Sequence, residues 1–391
     1  MRKVAVALIL GCLLLAARSS AGAAPSPSDW PSLNADATHS NFNAAEKTLT
    51  AKNFLKLKVK WAAPETNVSY PIVAGGRVYA PYLDKGKVHV HVLDAATGKQ
   101  LGTYTKDALG GLLMQDANLY LAGHTLQSID PLTGDSIARV ATTPSVKGSV
   151  FLNPVTDHKV IVVGYTAPKV PASLYTVDPT ADTLGRKMAS ASALGAISSG
   201  RILTETAGGS AFYDERSGKA LSSQPFIRSN WFAGTTLAYT VASVKGKNTT
   251  LYAYDGSGHS IWHRTVAQPL AVQDWPHAVG PSAVYVEIMK PQPGIQALDP
   301  LTGKVIWSRS MPNVQHIVLA NGILYALTYG LGESVRLVTL KADTGVPIGS
   351  IVLSSGYYAF PAANGLIIAD GMVFLRVAAA SGAQVLVGLG L

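Results

Sequence analysis

The sequence has a single cysteine, Cys12, so no disulfide can form within the chain. Only 14% of the 391 residues are charged and 48% are hydrophobic, a composition that provides for a large buried core. Beyond one apolar run near the start, no segment is both long and apolar enough to cross a bilayer. HExxH, GxSxG and Walker motifs are also missing, which removes the enzyme classes that those motifs identify.

The first 23 residues have the pattern of a signal peptide. Arg2 and Lys3 precede an apolar run over residues 4–17, and the small residues 21–23 form an A-x-A cleavage site. We expect residues 1–23 to be removed on export and residues 24–391 to form one domain. The apolar run is shorter than the roughly 20 residues of a membrane-spanning helix.

Cys12 offers a second interpretation of the same segment. It follows Ile9, Leu10 and Gly11, a partial match to a lipoprotein cleavage box, but the leucines after it continue the apolar run. Two localisations therefore remain open. The protein is either a freely soluble periplasmic or secreted protein, or one anchored through a lipid on Cys12.

The charge pattern argues against nucleic-acid binding. The formal net charge of +9 falls when the signal peptide is removed, leaving 29 basic against 23 acidic residues, and the basic residues are scattered. Lys56, Lys58 and Lys60 alternate with apolar residues, as on one solvated face of a strand. Nucleic-acid binding normally requires a clustered basic surface.

A repeated phrase is the most informative feature. A short apolar strand is followed by Asp, two further residues, Thr-Gly and another strand; the three best copies contain Asp94, Thr97 and Gly98, then Asp130, Thr133 and Gly134, then Asp299, Thr302 and Gly303. Four weaker copies bring the number to seven. Corresponding positions lie 36 to 48 residues apart, the length of one four-stranded propeller blade. The Asp side chain can accept turn amides and Gly can adopt a left-handed conformation, so we interpret these residues as structural turns.

These repeats predict an all-β fold, an eight-bladed β-propeller of four-stranded antiparallel blades. The last repeat is one strand short, and a strand at residues 55–61 resembles the outer strand at residues 303–307. Joining the N-terminal strand to the last blade would close the ring and remove exposed sheet edges. We expect a monomer.

The phrase Asp-Pro-Leu-Thr-Gly-Lys-Val-Ile-Trp at residues 299–307 resembles the repeat of quinoprotein dehydrogenases and their noncatalytic relatives. The segment with Asp36, His39 and Asn41 after Asp-Trp-Pro at residues 29–31 is similar to the start of many exported members. The resemblance implies that Trp61, Trp262 and Trp307 dock neighbouring blades. Blades without this Trp need other residues, such as Tyr104 or Ile137.

The resemblance does not extend to the catalytic features of the dehydrogenases. Those enzymes hold pyrroloquinoline quinone (PQQ) with Ca²⁺ and often have adjacent cysteines, whereas this sequence lacks a dense carboxylate loop and has no cysteine after Cys12. We therefore expect neither a cofactor nor a metal. The alternative is a small periplasmic quinoprotein that binds PQQ with Ca²⁺.

The loops that enter the innermost strands supply the candidate ligand-binding residues. Aromatic and polar side chains cluster in the loops of the second half of the chain, as in recognition surfaces. They are Arg228, Asn230, Trp231, Asp274, Trp275, His277, His316, Tyr357 and Tyr358. The alternative is that Trp231 and Trp275 pack between blades and the histidines cap loops. His277 and His316 lack an evident third ligand for a metal site.

The function expected from the sequence is that of an exported noncatalytic scaffold for a protein or a small ligand. The resemblance to the BamB-like branch adds a role in envelope protein assembly as one candidate. An oxidoreductase with its site at the channel mouth is the alternative. The sequence does not identify the partner.

Overall fold

The computed structural model describes the larger part of the chain, namely residues 26, 28–64, 70–85, 87–106, 111–140, 150–156, 161–167, 170–178, 183–190, 193–206, 209–224, 228–243, 248–267, 275–289, 292–329, 334–353, 357–359, 365–379 and 381–391. The predicted signal peptide and Cys12 lie outside these residues. In the described part, the secondary structure is β-strand with one short 3₁₀ turn.

The N-terminal region contains three short elements before the first blade: β1 (Phe42–Asn43), a 3₁₀ turn (Phe54–Lys56) and β2 (Lys58–Pro64). Blade 1 contains β3 (Ile72–Ala74), β4 (Arg77–Asp84), β5 (Lys87–Asp94) and β6 (Gln100–Lys106). Blade 2 contains β7 (Gly111–Gln115), β8 (Asn118–Ala122), β9 (Leu126–Ile129) and β10 (Ser136–Val140).

The middle of the chain forms three further blades. Blade 3 contains β11 (Val150–Thr156), β12 (Ile161–Ala167), β13 (Val170–Asp178) and β14 (Thr183–Ser190). Blade 4 contains β15 (Ala193–Ser198), β16 (Arg201–Thr206), β17 (Gly209–Asp214) and β18 (Ala220–Gln224). Blade 5 contains β19 (Arg228–Ala233), β20 (Ala238–Ser243), β21 (Thr249–Tyr254) and β22 (Ser260–Ala267).

The C-terminal part supplies two more blades and a closing sheet. Blade 6 contains β23 (His277–Val279), β24 (Val284–Ile288), β25 (Gly294–Leu298) and β26 (Val305–Ser310). Blade 7 contains β27 (Val314–Ala320), β28 (Ile323–Tyr329), β29 (Val335–Lys341) and β30 (Pro347–Val352). The closing sheet contains β31 (Tyr357–Ala359), β32 (Leu366–Ala369), β33 (Met372–Ala379) and β34 (Gln384–Gly390), together with β2.

The prediction of eight four-stranded antiparallel blades is wrong. In the part of the chain that is described, seven blades consist of four consecutive antiparallel strands, and the remaining sheet has a different construction. Its inner position is divided between β32, which pairs with residues 372–375 of β33, and β31, which pairs with residues 377–379. Blade 7 also departs from the rule, because β1 adds to β27 as a parallel fifth strand.

The N-terminal strand joins the closing sheet. Residues Lys58 to Pro64 of β2 pair antiparallel with β34, so the last sheet contains strands from both ends of the described chain. The strand begins three residues later than the sequence suggested, because Phe54–Lys56 form the 3₁₀ turn and the Phe54 ring is fully buried beside Tyr325. This pairing protects the edge of β34 that would otherwise be open.

The first strands lie at the centre of the ring, since most of them contact the first strand of the next sheet. Several first strands turn tightly into the second, as at Asn321 and Gly322 between β27 and β28, where both residues have positive φ. Blade faces are covered by neighbouring blades, which explains why strands such as β24 are buried along their length. The core is therefore a series of apolar layers between blades.

Candidate functional site

A segment before the first blade crosses the ring at the ends of the inner strands. We call residues 29–46 the strap. Backbone hydrogen bonds join the strap to the inner strands of six blades in chain order. Trp30 pairs with Val73 of blade 1, Pro31 with Met114 of blade 2 and Ala37 with Ile197 of blade 4. Thr38 pairs with Ala233 of blade 5, Ser40 with Val279 of blade 6 and Asn41 with Leu319 of blade 7. The Asn43 side chain then donates to the Ile368 carbonyl in the closing sheet at 2.9 Å. The strap therefore covers one end of the central channel.

Local polar contacts give the strap its curved path. Asn34, Ala35, His39 and Asn41 have positive φ, and Asn and His enter this region more readily than most residues. One oxygen of Asp36 accepts the Thr38 amide and hydroxyl at 2.9 and 2.7 Å, and the other accepts the Ser40 hydroxyl at 2.7 Å. Burial raises the pKa of Asp36, and these donors oppose that shift by favouring the carboxylate.

His277 lies where the strap meets blade 6. Its Nδ1 is 2.7 Å from the Trp275 carbonyl and its Nε2 is 2.8 Å from the His39 carbonyl. The Asn41 amide donates to the His277 carbonyl at 3.0 Å, and the Phe232 ring of blade 5 stacks on the imidazole with centroids 3.9 Å apart. Burial lowers the pKa of His277, whereas the two carbonyl contacts favour its protonated form. His277 therefore connects the strap to two blades.

Two further histidines border this group. His316 of β27 accepts the Leu366 amide through Nδ1 at 3.1 Å and so connects blade 7 to the closing sheet. His39 belongs to the strap, and its ring bonds to the Trp231 backbone. Burial lowers the pKa of both residues to about 3, with a smaller contribution from nearby His277, so both are neutral at pH 7.

The structure brings only some of the predicted recognition residues together. Trp231, Trp275, His277 and His316 are all buried, with exposed fractions of 5% or less. Trp231 packs against Phe212 and Tyr254, while Trp275 donates its indole N–H to the Glu287 carbonyl at 3.0 Å. Such burial favours the interpretation that the two tryptophans pack between blades, because they present almost no surface to a large partner.

The other predicted recognition residues lie where less can be said of them. Arg228 and Asn230 are in β19, and Tyr357 and Tyr358 are in β31, so the structure describes their backbone and strand pairing. Asp274 lies outside the described residues, as does Cys12. A role of these residues at a channel mouth stays a prediction.

The turns of the repeats have a common hydrogen-bond pattern. Asp94 Oδ1 accepts the Thr97 amide and hydroxyl at 2.8 and 2.7 Å, and Asp299 makes the same two bonds to Thr302 at 2.8 Å each. Asp130 accepts the Thr133 amide at 3.0 Å. Gly98, Gly134 and Gly303 follow with φ of 67 to 76°. The bonds from Thr97 and Thr302 lower the pKa of Asp94 and Asp299, as expected for carboxylates held by turn donors.

Four of the repeat turns also receive a hydrogen-bond donor from an aromatic side chain of the preceding sheet. The indole N–H of Trp61 donates to the Ala95 carbonyl, that of Trp262 to Pro300 and that of Trp307 to Ala342, at 2.9 Å each. Between blades 1 and 2 the Tyr104 hydroxyl takes this role, donating to the Pro131 carbonyl at 2.7 Å. Ile137, which the sequence suggested as a second substitute, is 54% exposed and does not dock a blade.

A third group of contacts joins the strap to the seam between blade 1 and the closing sheet. Asp29 accepts the Gly75 amide of blade 1 at 3.1 Å and lies against the carboxyl group of Asp370 in the closing sheet. Burial raises the pKa of Asp29 to about 7, and Asp370 adds to this effect. Glu46 accepts the Gly371 amide of the same turn at 2.7 Å. Both ends of the strap therefore contact the same turn of the closing sheet, at Asp370 and Gly371.

The sequence drew attention to Asp36, His39 and Asn41 only through a family resemblance. Their residue types allow positive φ, and that signal alone predicts a curved segment. It does not indicate which strands the segment contacts, because those strands come from six different blades. Glu46 and Asp370 had no signal, since each is an isolated acidic residue in the sequence.

Whether the protein binds PQQ with Ca²⁺ stays a prediction, and the described residues of this region can be compared with what that cofactor needs. In the part of the chain that the structure describes, no group of three or more His, Cys, Asp or Glu side chains is placed to hold a metal ion. The quinone carries several carboxylates and needs cationic partners, whereas His39 and His316 are neutral and both nitrogens of His277 face carbonyl oxygens. We therefore derive no chemistry through this cofactor.

No described helix has the length and apolar character to cross a membrane.

Comparison with known proteins identifies the class of fold. Residues 211–360 match the family model described as "Outer membrane protein assembly factor BamB". No curated protein sequence matches the chain. The matched residues span blades 5 to 7, and this part of the chain is similar to the PQQ-like repeats of that family model.

Solved structures with the same fold include enzymes and an assembly factor. Quinohemoprotein alcohol dehydrogenase from Comamonas testosteroni is 14% identical with a TM-score of 0.62, over 94% of this chain and 81% of that chain. A europium-containing methanol dehydrogenase is 12% identical with a TM-score of 0.60, over 94% and 98%. BamB from Moraxella catarrhalis is 13% identical with a TM-score of 0.58, over 86% and 98%. At these identities the likeness shows the fold alone.

Proposed function

We propose that this protein is an exported, noncatalytic scaffold that binds a protein partner, in a role similar to that of BamB in outer membrane protein assembly. The observation that carries the proposal is the match of residues 211–360 to the assembly-factor model. The structural likeness is shared by dehydrogenases and by BamB, so it does not choose between the two roles. A match in sequence over several blades is the more specific support.

The partner surface that we propose lies on blades 5 to 7, within the matched region. Large aliphatic side chains are exposed beside the repeat turns of these blades: Ile261 at 49%, Leu301 at 61%, Ile306 at 49% and Val346 at 49%. The turns follow the third strand of each blade and so lie at one end of the ring. We call these four residues the apolar rim. Exposed apolar side chains that recur on adjacent blades favour burial against another protein.

The charges beside the apolar rim define the kind of partner that it fits. Lys304 and Lys341 are exposed next to Leu301 and Val346. Aliphatic side chains bordered by lysines suit a partner segment with apolar residues flanked by carboxylates, since charge complementarity at the border guides association. The strap covers one end of the channel, which leaves the outer surface and the other end as binding surfaces.

The proposal is tested by photo-crosslinking in cells. A crosslinking amino acid at position 301 or 306 should capture an outer membrane assembly protein that mass spectrometry identifies. The matched control positions are Leu101 and Ile137, which are 50% and 54% exposed on the outer strands of blades 1 and 2. A specific adduct from blade 6 and none from blades 1 and 2 supports the proposal. Equal adducts from all four positions, or none, would exclude the apolar rim as the partner surface.

A second experiment tests the noncatalytic part of the proposal. Purified protein is mixed with PQQ and Ca²⁺, passed through a gel-filtration column and assayed for dye reduction with alcohols or sugars. We expect no quinone absorbance in the protein peak and no turnover. Retained quinone with alcohol-dependent dye reduction would make the protein a dehydrogenase and overturn the proposal.

A further inference from the structure

The chain between the strap and β2 carries a concentration of positive charge. Residues 47–60 contain five lysines and no Asp, Glu or Arg. We call this stretch the basic segment. Glu46, which precedes it, is buried and accepts the Gly371 amide. All five lysine side chains are exposed, and they are Lys47, Lys52, Lys56, Lys58 and Lys60.

The basic segment lies at the outside of the closing sheet, at the end of the sheet that the strap contacts. It begins directly after Glu46 and ends in β2, the outermost strand of that sheet. Lys58 pairs with Gly390, and Gly390 lies beside Lys60 and Met372, the residue that follows the turn at Asp370 and Gly371. Both the beginning and the end of the segment are therefore near this turn.

A comparison with blades 5 and 6 shows that the lysines are not required for docking. The residue before the docking Trp is Ile261 in blade 5 and Ile306 in blade 6, and both belong to the apolar rim. At the equivalent position of the closing sheet the residue is Lys60. The three tryptophans make the same bond to the next turn. The surface chemistry therefore changes from apolar to basic while the docking contact stays the same.

Exposed apolar side chains lie between the lysines. The alternating pattern predicted one solvated face of a strand, but Val59 between two lysines is 44% exposed, and Leu55 of the 3₁₀ turn is 60% exposed. Lysines interleaved with exposed aliphatic residues are typical of surfaces that bind the headgroup region of a membrane. Lys is a point charge, whereas Arg recognises single carboxylates through two parallel bonds, so lysines without Arg favour a spread negative charge.

The described chain also begins beside the basic segment. The Ser28 hydroxyl donates to Asp370 at 2.6 Å, and the Asn43 amide donates to the Ser28 carbonyl at 2.7 Å. The chain before Ser28 therefore meets the ring at the turn where the basic segment starts. A lipid on Cys12, one of the two localisations that the sequence leaves open, would hold this end of the ring at a membrane.

We propose that the basic segment binds the surface of a membrane that contains acidic phospholipids. The five lysines attract the lipid phosphates, and Leu55 and Val59 enter the boundary between headgroups and acyl chains. A lipid anchor combined with a basic surface holds a protein more firmly than either alone, so the segment would strengthen an anchor at Cys12.

This inference goes beyond the proposed partner binding and does not depend on it. The basic segment and the apolar rim share no residue. Vesicle binding is measured without a protein partner, and photo-crosslinking from positions 301 and 306 is measured without added vesicles. Failure of either proposal can therefore be recognised separately.

The test measures sedimentation of the purified mature protein with two kinds of vesicle. One contains phosphatidylcholine and phosphatidylglycerol, and the other contains phosphatidylcholine alone. We expect stronger binding to the anionic vesicles and a loss of this difference as salt is raised, because salt screens exposed charges. The difference measures the effect of charge, since a lipid anchor would bind both kinds of vesicle.

Two triple variants locate the binding surface. Changing Lys56, Lys58 and Lys60 to Gln should weaken binding to anionic vesicles about a hundredfold, since each lysine near such a surface contributes about fivefold. The matched control lowers the net charge equally at three exposed lysines of blades 1 and 4, each close in the chain to an Asp, and should bind like the wild type. Its changes are Lys87→Gln, Lys99→Gln and Lys219→Gln.

Two results would overturn the proposal. Equal binding of the wild type to both kinds of vesicle would leave the lysines with the role of preventing the edge of β2 from pairing with another chain. Equal losses in the two triple variants would assign the binding to net charge and not to the basic segment. All six changed side chains are exposed, so both variants should fold, and urea denaturation checks this.

Discussion

Two kinds of contact between neighbouring sheets perform the same task in this propeller. Between blades 5 and 6 and between blades 6 and 7, a Trp of the outer strand reaches the carbonyl that follows the repeat Asp or its equivalent, and the ring lies over the turn glycine. Between blades 1 and 2, Tyr104 reaches the equivalent carbonyl of Pro131 and lies over Gly134. All three interfaces place an aromatic ring and a hydrogen-bond donor at the same position, but two of them use Trp and the third uses Tyr.

The strand periodicity explains the substitution. Trp262 and Trp307 each follow their own turn glycine by four residues, whereas Tyr104 follows Gly98 by six. Since alternate residues of a strand share a face, a shift of two residues keeps the side chain on the docking side. Between blades 4 and 5 the docking position at Ser222 is small and faces Gly258 directly. These interfaces therefore differ in how much buried aromatic surface they contain.

The largest effect that we expect is at a Trp-docked interface. Trp307→Ala removes a large ring between blades 6 and 7 and leaves the Ala342 carbonyl without its indole donor. The free energy of unfolding should fall by about 3 kcal/mol, because the loss combines buried surface with a cavity. Urea denaturation measures the change. An effect below that of Ile137→Ala, a change at an exposed residue, would show that the ring contributes little to docking.

The second effect concerns the glycine below the ring. Gly345 has φ of 67°, and a Cβ there would lie 2.6 Å from the Trp307 ring. Gly345→Ala should cost about 2 kcal/mol or more from backbone strain and overlap together. The matched control is Gly322→Ala, with φ of 70° and no atom within 4 Å, which should cost about 1 kcal/mol from strain alone. Equal losses for the two variants in urea denaturation would show that overlap with the Trp307 ring does not contribute.

The seam between the closing sheet and blade 1 combines Trp61 docking with a titratable contact, so its stability should depend on pH. The pKa of Asp29 is about 7 in the folded protein against 3.8 for the free side chain. Between pH 3.8 and pH 7, Asp29 is therefore protonated in the folded state and ionised in the unfolded state. Proton binding by Asp29 therefore stabilises the folded state; its contribution to the free energy of unfolding is complete below about pH 4 and is lost as pH rises through 7. We expect a loss of about 2 kcal/mol after screening by water.

Denaturation at several pH values measures this dependence. Asp370→Asn removes the neighbouring negative charge while keeping an oxygen that can accept the Ser28 hydroxyl, so the slope between pH 4 and 7 should become shallower. An unchanged slope in this variant would mean that the pH dependence arises at other groups.

The smallest effect tests whether Tyr104 replaces the indole donor. Tyr104→Phe keeps the ring over Gly134 and removes only the bond to the Pro131 carbonyl. The expected loss is about 1 kcal/mol, the usual value for one hydrogen bond. Tyr82→Phe, another tyrosine of blade 1, is the control. A loss above that of Trp307→Ala would reverse the comparison between the two kinds of interface.

Much of the blade architecture could be predicted from the sequence. The copies around Asp94 and Asp299 contain their own turn donors, so the bonds to Thr97 and Thr302 depend on neighbouring residues alone. The docking role of Trp262 was implied by the resemblance to the quinoprotein repeat, and its indole donates to the Pro300 carbonyl of the next blade as expected. Tyr104 was harder to assign, because it follows its turn glycine by six residues instead of four, and both positions lie on the same face of the strand.

The number of regular blades was predicted incorrectly for a similar reason. The hairpin at residues 366–374 resembled the first hairpin of a blade, and its pattern gave no sign that β31 and β32 would share one side of β33. Pairing of this kind depends on which edge of a sheet remains free after the neighbouring strands have formed, and a local pattern does not contain that information.

The sequence by itself determined the strand content, the repeat turns and the glycines that those turns require, because these features depend on contacts within a few residues. Only the tertiary structure decided the path of the strap, the neutral histidines around His277 and the carboxyl pair of Asp29 and Asp370. Each of these joins residues more than two hundred positions apart. Their hydrogen bonds and pKa values are set by burial between sheets, which exists only after the ring has closed.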